Sequence, residues 1–162
     1  MSIFQPATNR QASIALTALR VITGIIFIAH GAQKLFVYGL AGVSGSFAQM
    51  GVPMPGAVGP LIAMLEFFGG ITLVFGLLTR LVSLGLVFDM LGAMLLVHLK
   101  NGFFMPNGYE FVLLLAAASA TLLLTGAGDF SIDSLIARRK GLSTDTATAA
   151  WGTRSGDARR AA

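Results

Sequence analysis

The chain has 162 residues, 55% hydrophobic and 11% charged, with 20 glycines, no cysteine and a formal charge of +4 at pH 7. Soluble domains are about 45–50% apolar with glycine included and about 25% charged, and a single domain of this length has too little interior to hide the excess. Disorder needs the opposite composition, and the missing cysteines exclude disulfides, thiolate metal sites and thiol catalysis. An all-α integral membrane protein remains, with the lipid bilayer as its first partner.

The charge is unevenly placed. Arg138, Arg139, Lys140, Arg154, Arg159 and Arg160 are six of the eleven basic residues. The net charge therefore describes a basic tail. It does not describe a nucleic-acid surface, which would need a basic groove with interleaved aromatics, so no nucleic-acid partner is expected.

Crossing about 30 Å of hydrocarbon takes about 20 helical residues, and four stretches supply them. After a cytoplasmic segment over 1–13, the first span runs over 14–36. Its upstream arginines and small residues near Gly31 resemble a secretory signal. Apolar residues continue through Leu35 and Phe36, however, and Lys34 suits no cleavage site, so the segment reads as a retained helix. In the loop that follows, Ser44 to Gly51 forms a short helix with a serine cap candidate, stopped by Pro53 and Pro55, with Phe47 and Met50 toward the membrane. The second and third spans, 57–78 and 81–99, are separated only by Thr79 and Arg80 and form a tight antiparallel hairpin. A loop with Phe103, Phe104, Pro106 and the turn pair Asn107-Gly108 leads into the fourth span, 109–125. The four spans make one membrane domain over 14–133, and 134–162 reads as a basic, disordered cytoplasmic tail.

Lysine and arginine set the orientation. Arg10, Arg80 and the six tail basics lie on one side, while the first outer loop has none and the second has Lys100 alone. The expected architecture is a four-transmembrane-helix bundle with both termini cytoplasmic.

Ionisable residues inside spans cost at least about 2.5–3.5 kcal/mol each at the bilayer centre, so each should face the bundle and find a partner. At about 100° per residue, Arg20, Gly24, Phe27, Gly31 and Lys34 share a stripe on the first helix, with His30 on its flank. Glu66 shares a face with Gly59, Gly69, Gly70 and Leu73, and Asp89 with Gly85, Gly92 and Leu96. Glycine beside charge marks close-packed membrane helices. Counting inward from the outer surface at about 1.5 Å per residue, Lys34 and Glu110 lie within ~5 Å, His30 near ~9 Å, Glu66 and Asp89 near ~14 Å, and Arg20 near ~24 Å. The expected contacts are Lys34 with Glu110, His30 with Glu66, and Arg20 reaching toward Asp89 as a structural ion pair. His30, Lys34, Glu66 and Glu110 are the ligand-binding or proton-relay candidates. His98 falls on the side opposite Asp89, which disfavours haem ligation by His30 and His98. The methionines are not spaced around a histidine as a metal track, so no metal site is expected.

These residues also carry a family resemblance. Arg20-x3-Gly24-x2-Phe27-x2-His30-Gly31-x2-Lys34-Leu35 resembles the opening helix of the DoxX family of small bacterial membrane proteins. Phe47-x3-Gly51-x-Pro53 resembles its first loop, and Glu66-x2-Gly69-Gly70-x2-Leu73-x2-Gly76-x2-Thr79-Arg80 its second helix. Gly108-Tyr109-Glu110 and Gly126-x-Gly128-Asp129, with Ser131 and Asp133, are similar to its fourth helix and closing motif. The resemblance implies a four-helix bundle in the bacterial inner (cytoplasmic) membrane. It marks Arg20, His30, Lys34, Glu66 and Glu110 as positions of interest. It also implies association with oxidoreductases, since the family name comes from a subunit of a thiosulfate:quinone oxidoreductase and some relatives act with partner enzymes in oxidative stress.

No redox centre is visible in the sequence, so whether the chain is itself an enzyme stays open. The first expectation is a redox-associated subunit holding a quinone-like molecule at the outer polar cluster, motivated by titratable groups at matched depth in an apolar bundle. The alternatives are a small proton-coupled carrier, working as a homodimer with Glu66 and Asp89 as its midplane proton or substrate groups, and a non-catalytic scaffold that recruits a redox enzyme.

Overall fold

The computed structural model describes residues 7–141, and among these all regular structure is helical. Helix α1, Asn9–Ala32, opens with a capping box in which the Thr8 hydroxyl accepts from the Gln11 backbone N–H at 3.3 Å and the Gln11 side chain accepts from the Thr8 N–H at 2.8 Å. The helix widens into a π-helical segment, Gln33–Tyr38, and the chain turns at Gly39 into α2, Gly39–Gln49. Gly39 has φ +68°, a left-handed value that glycine adopts without a Cβ penalty.

The region expected to be a loop around a short helix is thus helical for most of its length. Val43 and Phe47, four residues apart, give α2 an apolar side to bury. Val43 is only 2% exposed, and it lies at the level of Gly59 on the next helix. That helix, α3, is Pro55–Phe75; a turn through Gly76 leads to α4, Thr79–Ala93. Helix α4 continues through a second π-helical segment, Met94–His98, and a 3₁₀ turn, Leu99–Asn101. Helix α5 is Glu110–Thr125, and α6 is Ile132–Arg139.

The tail expected from residue 134 onward is therefore helical at its start. Ser131 caps α6, its hydroxyl accepting from the Ser134 N–H at 3.1 Å. Its remainder from residue 142 lies outside the described residues.

Helix α1 packs on α3, α3 on α4, α4 on α5, and α5 closes back on α1, with α2 seated on the outside of α3. The α1–α3 contact is the closest approach. A Cβ on Gly24 would lie 2.8 Å from the Gly70 carbonyl oxygen, and a Cβ on Gly70 would lie 2.7 Å from that of Gly24. Only hydrogen fits at both positions, which is how small residues let membrane helices meet.

Burial runs inside out relative to a soluble protein. Large apolar residues such as Phe68 (57% exposed), Phe75 (60%) and Leu124 (76%) face outward, while Arg20, Glu66, Thr79, Ser83 and Ser119 are buried. An exterior this apolar is stable only against hydrocarbon. Among the described residues, three helical stretches are long and apolar enough to cross a membrane: Asn9–Gln49, Pro55–Phe75 and Thr79–Asn101. Helix α5 is apolar but has 16 residues, about 24 Å of helix.

Candidate functional site

The spans carry acids and bases, and the structure sorts them into two separate groups. One lies toward the end of the bundle that bears the Phe103–Tyr109 loop. The other lies at the opposite end, beside α6.

The first group centres on Lys34, whose ammonium donates to Glu66 Oε2 in a direct salt bridge. The Glu66 side chain is 4% exposed and that of Lys34 21%. Asp89, from α4, faces both of them. It is 8% exposed, and its Oδ2 receives no hydrogen bond from the protein. Glu66 offers Asp89 only another carboxyl, and two carboxyls make a hydrogen bond only with a proton between them.

These three residues border a cavity of about 620 Å³ whose other walls are mostly apolar, among them Phe47, Leu65, Phe88 and Leu96. Phe47 of α2 and Met50 just beyond it line the cavity, so the helix formed where a loop was expected serves as one of its walls. Gly85, Gly92 and Leu96, expected in the helix interface with Asp89, line this space, and Gly85 also packs against Leu65 of α3, a Cβ there lying 3.2 Å from the leucine side chain.

Lys34 and Glu66 also border a second cavity of about 410 Å³, which reaches His30, Met105 and Phe111. His98 lines both spaces. The His98 Nδ1 lies 2.9 Å from the Asn107 carbonyl oxygen. A carbonyl only accepts, so Nδ1 carries the hydrogen, and in the neutral ring Nε2 is left as an acceptor.

The expected pairings change accordingly. Lys34 meets Glu66 and not Glu110, because its flexible stem turns inward and spans the difference in depth that separated the two in the sequence reading. Glu110 instead accepts from the Met105 backbone N–H at 2.7 Å, holding the loop that precedes α5. His30 does not bond Glu66; it is exposed and lies against the Phe111 ring, with centroids 6.2 Å apart.

Arg20 does not reach Asp89. Its Nη1 donates to the carbonyls of Leu73 (2.6 Å) and Val74 (2.7 Å), and its Nη2 to that of Phe130 (2.9 Å). The last carbonyls of a helix lack intrahelical partners, and Gly76 ends α3 at Arg20's depth. That glycine was the sequence signal for this contact. A Cβ at Gly76 would lie 2.6 Å from Arg20 Nη1. Asp133 completes this end: its carboxylate accepts from the N–H groups of Leu78 (2.8 Å) and Thr79 (2.9 Å), capping α4 from outside.

The sequence pattern did not place Asp89 or His98 beside Lys34. An α-helical count places them on opposite sides of their helix. The π-helical segment Met94–His98 winds with more residues per turn and rotates His98 back toward the site. Lys34 also sits in a π-helical segment, and such segments recur at functional sites. Among the described residues, no group of three or more His, Asp or Glu is placed to hold a metal ion.

A helical bundle with a lipid-facing apolar exterior and a buried acid–base centre defines a class, that of integral membrane proteins with an internal polar site. The DoxX family model matches residues 15–99. The chain belongs to the DoxX family. It is similar to CatD of Bacillus subtilis, a candidate oxidoreductase by its name, with 35% identity over 82% of this chain and 94% of that protein. It is also similar to the inner membrane protein YqjF of Escherichia coli, with 34% identity over 78% of this chain and 95% of that one. A membrane protein of Mycobacterium tuberculosis is 28% identical over 77% of this chain and 83% of its own. No solved structure matches the chain.

Proposed function

We propose that this protein is a redox-associated subunit of the bacterial inner membrane that binds a quinone-like molecule in the apolar cavity beside Lys34, Glu66 and Asp89. In this reading the bundle spans the membrane four times with α5 as the fourth span, and both termini are cytoplasmic. The distribution of Lys and Arg and the inner-membrane relative support that placement.

The observation that carries the ligand reading is Asp89 Oδ2, a buried acceptor with no partner, at the edge of a cavity that is otherwise mostly apolar. Natural structures rarely leave such an atom unmatched, and a group from a ligand would satisfy it. The cavity volume falls in the range of small-molecule sites, about 300–1,000 Å³, and its lining has their usual character, apolar with a few convergent polar groups. A quinone head suits these walls. Its ring fits beside Phe47 and Phe88, a carbonyl can accept from the Lys34 ammonium, and the hydroxyl of the reduced form can donate to Asp89. Cysteine is absent, so no thiol of the chain can carry electrons. They would pass between the bound molecule and a partner redox enzyme.

The test is binding of decylubiquinone and of its reduced form, decylubiquinol, to the full chain in detergent, followed by calorimetry. Asp89→Asn keeps the shape of the side chain but turns the carboxyl acceptor into an amide. It should weaken binding of the quinol about 2- to 10-fold, the equivalent of one hydrogen bond. Equal affinity for the quinol in the wild type and Asp89→Asn would sink the proposal, as would the absence of any saturable binding.

A further inference from the structure

We infer that the second cavity is a proton path, in which His98 passes protons between the loop end of the bundle and the Glu66–Asp89 carboxyl pair. The inference takes the Lys34–Glu66–Asp89 centre from the reading above and assigns it a regulated partner, the proton.

Three observations meet here. The first is charge. Two buried carboxyls face one ammonium, so the cluster carries one uncompensated negative charge unless it holds a proton. A buried uncompensated charge is the costly state. Asp89 Oδ2, with no donor from the protein, is a place where that proton can sit, shared with Glu66.

The second observation is the division of space. The Lys34–Glu66 pair borders both cavities, the apolar one beside Asp89 and the smaller one beside His30, Met105 and Phe111. Protons therefore have an approach to Glu66 that does not cross the apolar chamber where a ligand would lie.

The third is the state of His98. The Asn107 carbonyl fixes the hydrogen on Nδ1 and leaves Nε2 free to accept a proton and pass it on. Histidine is the side chain suited to do this near neutral pH. Uptake at Nε2 gives a doubly protonated ring, and transfer to a carboxylate oxygen of the pair returns the neutral ring. The number of protons is conserved and no electrons move. Asn107 belongs to the loop that Glu110 holds through Met105, so the relay is positioned by the loop.

The charged and titratable groups around the pair are Lys34 and His30 from α1 and its extension, His98 beyond α4, and Glu110 of α5, which is engaged with the Met105 N–H.

The test uses the full chain in lipid nanodiscs without added quinone. Infrared spectroscopy follows the carbonyl stretch of protonated carboxyl groups after transfer into D₂O. The wild type should show a band that shifts with deuteration and that disappears in Asp89→Asn or Glu66→Gln. His98→Ala should slow that shift at least tenfold, and imidazole added to the buffer should restore it. His98→Gln, whose amide can still donate to Asn107 and so preserve the loop, should be slow as well.

A wild-type rate in both His98 variants would overturn the proposal. So would a slowed rate that imidazole does not restore, or a wild type lacking any band that depends on Asp89 or Glu66. Because no quinone is present, failure of decylubiquinone binding leaves this result intact. A normal exchange pattern likewise gives no support to the quinone reading.

Discussion

Replacing Lys34 asks whether the buried centre behaves as one unit. Glu66 is almost wholly enclosed and Lys34 is about one-fifth exposed. Removing one member of a buried ion pair costs about 3–5 kcal/mol, because the surviving charge loses its compensation. Water reaching Lys34 softens this and places Lys34→Met near ~3 kcal/mol. The reverse change is gentler. Glu66→Gln leaves the ammonium facing Asp89, so the centre stays balanced and loses one charge-assisted hydrogen bond, about 1.5 kcal/mol. The double variant Lys34→Met/Glu66→Gln removes the partner together with the charge that needed it. Its cost should fall below the sum of the single costs by at least about 1 kcal/mol. Equilibrium unfolding of the full chain in mixed micelles, followed by helical circular dichroism, supplies all four corners of the cycle. Costs that add within about 0.5 kcal/mol would refute the coupling. Equal losses in the two single variants would refute the role given to Asp89 as a second acid at the same centre.

Four further variants test packing and caps elsewhere. Gly70→Ala places a methyl 2.7 Å from the Gly24 carbonyl oxygen and should cost about 1–3 kcal/mol by forcing α1 and α3 apart. Gly45→Ala, in α2 with open space around it, should be neutral or gain up to about 1 kcal/mol, and thermal unfolding of the pair separates the cases. Asp133→Ala removes the acceptor from two N–H groups at the start of α4, for about 1–2 kcal/mol, and limited proteolysis should cut before α6 sooner than in the wild type. Arg20→Lys keeps the charge but cannot span the α3 carbonyls and that of Phe130 with a planar fork. It should lower the unfolding midpoint while leaving decylubiquinone affinity within twofold, and a large loss of affinity would mean that the two ends of the bundle are coupled.

Much of the helical core is legible from α-helical periodicity. The stripe Arg20, Gly24, Phe27 and Gly31 is buried as counted, as are Glu66, Gly69, Gly70 and Leu73 on α3. Glycine next to charge is informative because lipid gives helices little reason to associate except close packing and polar contact. Partners are less legible where a polar residue has a choice of them. Opposite charges at similar depth suggested Arg20 with Asp89, but a guanidinium has five donors and is well served by several carbonyls. Helix α3 ends at Gly76 and presents those carbonyls at Arg20's level. A count of side-chain charges does not include backbone oxygens, although their position follows from where the helix stops.

The site itself was half legible, and the missing half has one physical origin. Lys34 and Glu66 were both expected as site residues, yet with different partners, and Asp89 was expected to pair with Arg20, or to stand beside Glu66 in the carrier alternative. Depth counted along an ideal α-helix ignores both the reach of a lysine stem and local changes in winding. Lys34 and His98 stand in the two π-helical segments of the chain's described residues, where a constant 100° step no longer applies. An extra residue per turn costs regular hydrogen bonding, and such segments are retained mostly at functional positions. That both flank the same pair of cavities therefore favours a site over a set of contacts that merely fixes helix register.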